Sequence, residues 1–368
     1  MIGMTRLIAG KVRFNFEDLN GPVAAWIDTV FGPLKAEPHI EAATEITFRF
    51  VDKVAKPSGR LWPVPAGQTD QGLRFGDHLD RGALMRFPLH DSEILVERDI
   101  DPWFFQRWLY LPLLRASLWR HRICLVHAAG VTVNDKRVAI SGWTGAGKSP
   151  VALELLERGS GFIADDWCAF SSDGVVSPIS AQLNLNSHHQ GYIDPARWPG
   201  SRSTAVHKIS KGAKAVSKST KKWPKVSMGF ARLADVASAA GKVKVPVNQV
   251  FPDAKVAASG PLDVFVFVPR QGTNIPTIDA LPEALAASGR SELLYCEDLE
   301  SVIRFSYPGL LTDPLFGSIS EEMEIIASGM SATTKVIAGE GETPRRVSDL
   351  ASRIVEMTVS TDGRTAVA

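Results

Sequence analysis

The stretch Gly142-Trp143-Thr144-Gly145-Ala146-Gly147-Lys148-Ser149 satisfies the pattern G-x-x-x-x-G-K-[ST], and the reading of the whole chain turns on it. Its flanks suit a phosphate-binding loop: Arg137–Ser141 reads as a strand, and Leu153, Leu155 and Leu156 populate a short helix that Gly159 is well placed to end. Glycines let such a loop curl so that successive backbone N–H groups converge on an anion, and the helix N-terminus adds partial positive charge. Lys148 supplies a mobile ammonium for the β- and γ-phosphates of ATP, and the Ser149 hydroxyl is a candidate Mg²⁺ ligand. A glycine-rich turn with a chance lysine is the bland alternative, and the flanking strand and helix argue against it. Pro150 fits the first helical turn, where its missing N–H has no intrahelical partner to lose, but it brings no metal-binding side chain.

Asp165-Asp166 follows the short strand Phe162-Ile163-Ala164, which returns after the helix, so the pair is expected at the carboxyl end of a strand near the loop. Phosphoryl transfer needs one carboxylate to hold Mg²⁺ and one group to deprotonate the attacking hydroxyl, and two adjacent aspartates divide that work. Strand alternation predicts that they point to opposite sides, one toward the metal and one toward the acceptor. An Asp-Asp pair after a strand is otherwise an ordinary solvated turn.

The stretch from His127 through the loop to Asp166 resembles the HPr kinase/phosphorylase family and its phosphoenolpyruvate-carboxykinase-like relatives. These show a strand-borne histidine, a P-loop, and a short helix leading into an Asp-Asp strand end. In most other P-loop enzymes the second acidic motif lies much further along the chain. The resemblance implies that Lys148 and Ser149 contact phosphate and metal, that Asp165 holds the metal, that Asp166 is the base, and that His127 is a partner of the transferring phosphoryl group. It also implies an α/β fold with a P-loop core of this type. Two departures stand out: Pro150 occupies the place of an expected glutamate, and no glutamate-arginine-glycine-leucine-glycine segment follows Phe170. Relatives that lack that segment include kinases of free serine and of peptide hydroxyls.

Upstream, Val12, Phe14 and Phe16 alternate with Arg13 and Asn15, and Ile46, Phe48 and Phe50 alternate with Thr47 and Arg49. Residues 1–100 are therefore expected to form a β-rich N-terminal domain. Asp101-Pro102 is a helix start, and one continuous helix is expected over Trp103–Trp119. Cys124–His127 and Gly130–Val133 read as separate strands, and Leu262–Val268 as a largely buried one. The ATP-binding domain is expected over 101–310 and a C-terminal helical segment over 311–368, with helices starting near Ser318 or Ser320 and spanning about Arg345 to Met357. Ser360–Ala368 reads as a frayed end.

Lys208, Lys211, Lys214, Lys218, Lys221, Lys222 and Lys225 crowd a basic loop at 205–226, either a solvated surface segment or a lid over ATP. Only Trp223 there could stack on a base, so nucleic acid is not an expected partner. Arg270, just past a strand, is a weaker phosphate candidate. A net charge of +1 gives no global pull toward nucleic acid or an anionic membrane. Cys124, Cys168 and Cys296 lie far apart and read as buried thiols. The N-terminus lacks a continuous apolar run of the signal-peptide kind, and Trp103–Trp119 carries too many polar residues for a membrane span, so a cytoplasmic protein is expected. The function expected is an ATP- and Mg²⁺-dependent kinase acting on a hydroxyl of a small metabolite or peptide serine, with self-association left open. The alternatives are an HPr-type protein serine kinase/phosphorylase and a non-catalytic nucleotide-binding regulator.

Overall fold

The computed structural model describes residues 4–32, 34, 41–56, 66–69, 72–76, 81–85, 92–199, 243–270, 276–306, 314–331, 333–337 and 344–359. The basic loop at 205–226 and the last residues from Ser360 lie outside the described residues. The described residues form a mixed α/β structure with three sheets.

The first sheet has seven strands: β1 (Met4–Ile8), β2 (Val12–Glu17), β3 (Thr44–Val51), β4 (Ala66–Thr69), β5 (Gly72–Gly76), β6 (Gly82–Met85) and β7 (Ser92–Glu97). They run in the order β1-β2-β3-β7-β6-β5-β4, and β3 lies parallel to both β2 and β7. The alternation read in the sequence is the burial pattern: Val12, Phe14, Phe16, Ile46, Phe48 and Phe50 are buried, as a strand's period of two requires. α1 (Gly21–Phe31) packs its Val23, Trp26, Ile27, Val30 and Phe31 on that aromatic face.

Asp101 caps the next helix, its Oδ1 accepting the Phe104 N–H at 2.8 Å. The single helix expected over Trp103–Trp119 is instead three pieces: α2 (Pro102–Phe105), a π-helical turn over Gln106–Tyr110, and α3 (Leu111–Trp119). Pro112 explains the break. A proline inside a helix has no N–H to donate and its ring crowds the carbonyl four residues back, and the wider π turn just before it accommodates both. The Leu111 N–H accordingly reaches back to the Gln106 carbonyl.

The second sheet has eight strands. Its backbone is β8 (Ile123–Val133), one eleven-residue strand where two were expected. β9 (Lys136–Gly142) pairs antiparallel with it across the Asn134-Asp135 turn, whose two residues take positive φ of 49° and 62°. β10 (Gly161–Ala164) and β11 (Trp167–Ser171) both pair with β8, one with each half. β12 (Val175–Pro178) follows β11, while β13 (Gln182–Leu185) and β14 (Val243–Pro246) form a separate two-stranded sheet. β15 (Gly260–Pro261) joins β12, and β16 (Val264–Val268) lies between β9 and β17 (Thr334–Ile337), parallel to both.

Helix α4 (Lys148–Glu157) opens directly after the glycine loop. The longer helices that follow in the described residues are α5 (Leu281–Ser306), kinked at Leu293, α6 (Ile319–Gly329) and α7 (Pro344–Val359). α6 starts after Ser318, one of the two starts expected, and Ser318 and Glu321 cap it reciprocally. α7 buries Val347, Leu350, Ala351 and Ile354 against Val151, Leu155 and their neighbours, and Arg158 ties it down by donating to Ser348 Oγ at 2.8 Å. The helix that carries the loop is thus held on a fixed support. All three cysteines are buried free thiols. Among the described residues no helix is long and apolar enough to cross a membrane.

Gly142 shows how tightly the loop is anchored. It has φ +148°, and a Cβ there would stand 2.1 Å from the Val268 carbonyl oxygen on β16. Both a strained backbone and a clash with main chain follow from any side chain. Gly142→Ala is expected to cost about 2–4 kcal/mol of stability, read as a lower urea midpoint at unchanged slope. A midpoint equal to wild type would mean that β9 and β16 are not so closely packed at the loop.

Candidate active site

The loop turns through Gly145 at φ +81° and Gly147 at φ +98°, conformations that favour glycine, and Gly147 is the N-cap of α4. A turn bond from Ala146 N–H to the Trp143 carbonyl, 3.0 Å, closes it from inside. Lys148 is buried and folded back, its Nζ donating to the Gly142 carbonyl at 2.9 Å and the Trp143 carbonyl at 3.2 Å. Burial pulls its pKa down to about 8, opposed by the nearby carboxylates of Asp166, Glu292 and Asp165. It therefore remains mainly protonated near neutrality and loses that charge readily above. Pro150 sits in the first turn of α4.

Asp165 and Asp166 directly follow the carboxyl end of β10, as expected. β10 finishes at Ala164, opposite Gly130, and β11 begins at Trp167, opposite His127, so the register on β8 is the same on both sides and the two aspartates form an unpaired bend between the strands. Asp166 takes φ +69°, a conformation that aspartate tolerates better than most residues, and its carbonyl accepts the Ala128 N–H at 3.1 Å. Both residues line one cavity. Backbone strain of the kind seen at Asp166 recurs at functional sites.

Asp165 is buried, with Oδ1 accepting from Ser149 Oγ at 2.8 Å and Oδ2 from the Asn184 backbone N–H at 2.8 Å. The loop serine and the first aspartate are therefore in direct contact. Burial and the neighbouring Asp166 push the Asp165 carboxyl up to about 7, although both hydrogen bonds favour the ionised form.

A stability prediction follows from that shift. Because the folded state holds this proton more tightly than the unfolded chain, stability falls as pH rises from the ordinary carboxylate range toward 7 and levels off above it. Asparagine stays neutral throughout and can keep both contacts. Asp165→Asn should leave thermal stability unchanged near pH 4 and raise it at pH 8, on the order of a few kcal/mol. Equal stability of the two proteins at pH 8 would show that Asp165 ionises freely.

A cavity of about 690 Å³ joins these groups, lined by His127, Thr144, Lys148, Ser149, Asp166 and Tyr192 among others. His127 is buried on β8, opposite Trp167 in the ladder, and its ring stacks on the Trp167 indole at 5.2 Å. Ser141 Oγ donates to its carbonyl at 2.7 Å, locking β8 to β9 beside the loop. The structure thus gathers His127, Gly142–Ser149, Asp165 and Asp166, the residues that the sequence singled out. Arg270 is exposed past the end of β16 and does not line the cavity.

Other residues at the site had no sequence signal recognised above. Asn184 orders Asp165 through its backbone, and His188 and His189 line the same cavity from the turn after β13. Glu292 on α5 accepts from Thr144 Oγ1, and Ser288 Oγ donates to the Gly142 carbonyl at 3.2 Å, so α5 braces the loop from behind.

Comparison with known proteins finds local sequence similarity. The chain is 40% identical over 63 residues to an HPr kinase/phosphorylase of Chlorobium phaeobacteroides, covering 17% of this chain and 20% of that protein. It is likewise 40% identical over 58 residues to an HPr kinase/phosphorylase of Chlorobium luteolum, covering 16% of this chain and 18% of that protein. The chain therefore spans about a fifth of the length of the curated relatives it matches. The solved Hpr(Ser) kinase/phosphatase of Coxiella burnetii covers 43% of this chain and 71% of its own, at 15% identity and a TM-score of 0.22, too low to establish a shared architecture. No protein-family model matches. The two local sequence matches support a partial relation to HPr kinase/phosphorylase.

Proposed function

We propose that the protein is an ATP-dependent kinase with an HPr-kinase-like P-loop core, and that Gly142–Ser149 cradles the triphosphate while Asp165 and Asp166 serve the metal and the acceptor. The observation that carries this reading is the Ser149 Oγ–Asp165 Oδ1 contact of 2.8 Å, which brings the loop's hydroxyl and a buried carboxylate onto one point. Among the described residues there is no cluster of three or more acidic, histidine or cysteine side chains able to cage a metal alone. Mg²⁺ is usually held by one or two protein oxygens together with substrate phosphates and water, and the Ser149–Asp165 pair fits that donor set. When bound there, Mg²⁺ would neutralise charge on the β- and γ-phosphates.

The chain's own residues divide the remaining work. Lys148 exchanges its two loop carbonyls for phosphate oxygens, since its ammonium is already within the loop. Asp166 accepts the acceptor's hydroxyl proton as that oxygen bonds to the γ-phosphorus, while the bond to the bridging oxygen breaks and its electron pair leaves with ADP. His127, at the cavity wall, contacts the transferring phosphoryl group. Gly142 and the braces from α5 hold the loop so that little reorganisation accompanies binding.

A protein-serine acceptor is the second reading, favoured by the local identity to HPr kinase/phosphorylases. ADP production measured with Mg-ATP alone and with a panel of hydroxyl acceptors separates these readings. Stimulation by small hydroxyl compounds supports the first, stimulation by a serine-bearing protein the second, and tight nucleotide binding with no stimulation would leave a regulatory binder.

A further inference from the structure

A second cavity, of about 510 Å³, shares Asp166 and Asn184 with the first. Asp166 therefore stands on the boundary between two chambers, the first lined by Lys148 and the loop. The second is walled by the π turn, β13, β14 and Trp167. The widened turn before Pro112 brings Gln106 and Tyr110 to its lining. A π turn inserted in a helix is frequent at functional sites.

We infer that this second cavity is the acceptor subsite of the kinase proposed above, on which the inference rests, and that it takes a small neutral polyhydroxyl compound of monosaccharide size. Three observations select that class. First, the wall mixes hydrogen-bond donors and acceptors: the Asp166 carboxylate, the amides of Gln106 and Gln182, and the Lys244 ammonium, which donates to Gln106 Oε1. Gln182 is only 3% exposed, and its Oε1 has no donor among the described residues. A ligand rich in hydroxyls can both donate and accept along such a wall.

Second, Trp103 lines the cavity while 55% exposed, and the Arg107 guanidinium lies 5.4 Å from the centre of its ring. The cation fixes one face of the indole, leaving a flat apolar surface suited to the C–H face of a sugar ring. Third, among the described residues the lining carries one lysine, Lys244, and two aspartates, Asp165 and Asp166, so it does not favour an anionic acceptor. The volume is in the range of small-molecule sites. A hydroxyl bound here lies beside Asp166, which takes its proton while the oxygen attacks the γ-phosphorus from the second chamber and ADP leaves through the first.

The test uses the full chain and saturation-transfer NMR with glycerol, D-ribose, D-glucose and myo-inositol, a sugar phosphate, and a serine-containing peptide, each without nucleotide. Trp103→Ala and Gln182→Leu are compared with wild type. At least one neutral polyol is expected to show transfer, to bind at least tenfold more weakly to both variants, and to be phosphorylated by wild type with Mg-ATP. No transfer from any polyol, transfer that neither variant weakens, or transfer only from the peptide or the sugar phosphate would overturn the inference. Titrating the same wild-type sample with a non-hydrolysable ATP analogue separates the two levels. Nucleotide binding without polyol binding removes the acceptor inference and leaves the kinase reading. Polyol binding that the two variants weaken, without nucleotide binding, removes the kinase reading and leaves a polyol site.

Discussion

Lys148→Ala should fold normally, bind Mg-ATP at least tenfold more weakly, and lose ATP turnover by about 10²-fold or more. The lysine is buried within the loop that it serves, donating to the Gly142 and Trp143 carbonyls at 2.9 and 3.2 Å. Removing it deletes the one ammonium in the loop able to meet the β- and γ-phosphates. It also removes one hydrogen bond from each of two carbonyls, but that of Gly142 still receives Ser288 Oγ at 3.2 Å and that of Trp143 the Ala146 N–H at 3.0 Å. Those remaining contacts are the reason to expect an intact fold. Far-ultraviolet circular dichroism and nucleotide calorimetry check both halves. Wild-type affinity and turnover in a folded variant would mean that the loop does not hold the triphosphate.

Asp166→Asn is the second large effect. Asparagine keeps the size and hydrogen bonding of the side chain and tolerates the positive φ of 69° at this position, but it cannot take a proton. Mg-ATP affinity should change little, while phosphoryl transfer falls about 10²-fold or more. Asp165→Asn should act differently, chiefly raising the Mg²⁺ concentration needed, because its partner is the loop serine. If both variants transfer phosphate at near-normal rates at low Mg²⁺, the acid pair is structural.

The parts of this site that were legible in the sequence are those whose chemistry is local. A phosphate loop needs glycines at fixed spacings, and Gly145 and Gly147 carry the positive φ values that only such residues adopt easily. Alternation in β2 and β3 was equally plain, since one face of each strand is buried among aromatic rings. The helix after Ser318 announced itself by a serine at its start and by Glu321 and Glu322 in its first turn.

What stayed hidden depends on distant partners. Pro112 was visible, yet whether a proline kinks, ends or widens a helix is decided by what packs around it. The unpaired bend at Asp165-Asp166 falls where β10 and β11 share one long partner strand, and β8 itself read as two strands because Ala128, Ala129 and Gly130 carry no alternation. Helix α5 was missed: it mixes Gly289, Ser288 and Arg290 with its apolar residues, and its kink at Leu293 interrupts the helical period. With it went Glu292. Asn184 contributes a backbone N–H, which no side-chain pattern records.

A crystal structure of the full chain with Mg²⁺ and a non-hydrolysable ATP analogue tests the central claim most directly. The expected result is a triphosphate lying on Gly142–Ser149, with Lys148 Nζ moved from its loop carbonyls onto phosphate oxygens and the Asp166 carboxylate facing the γ-phosphate. A nucleotide bound elsewhere, or a loop left vacant at saturating analogue with Lys148 still on the Gly142 carbonyl, would contradict it.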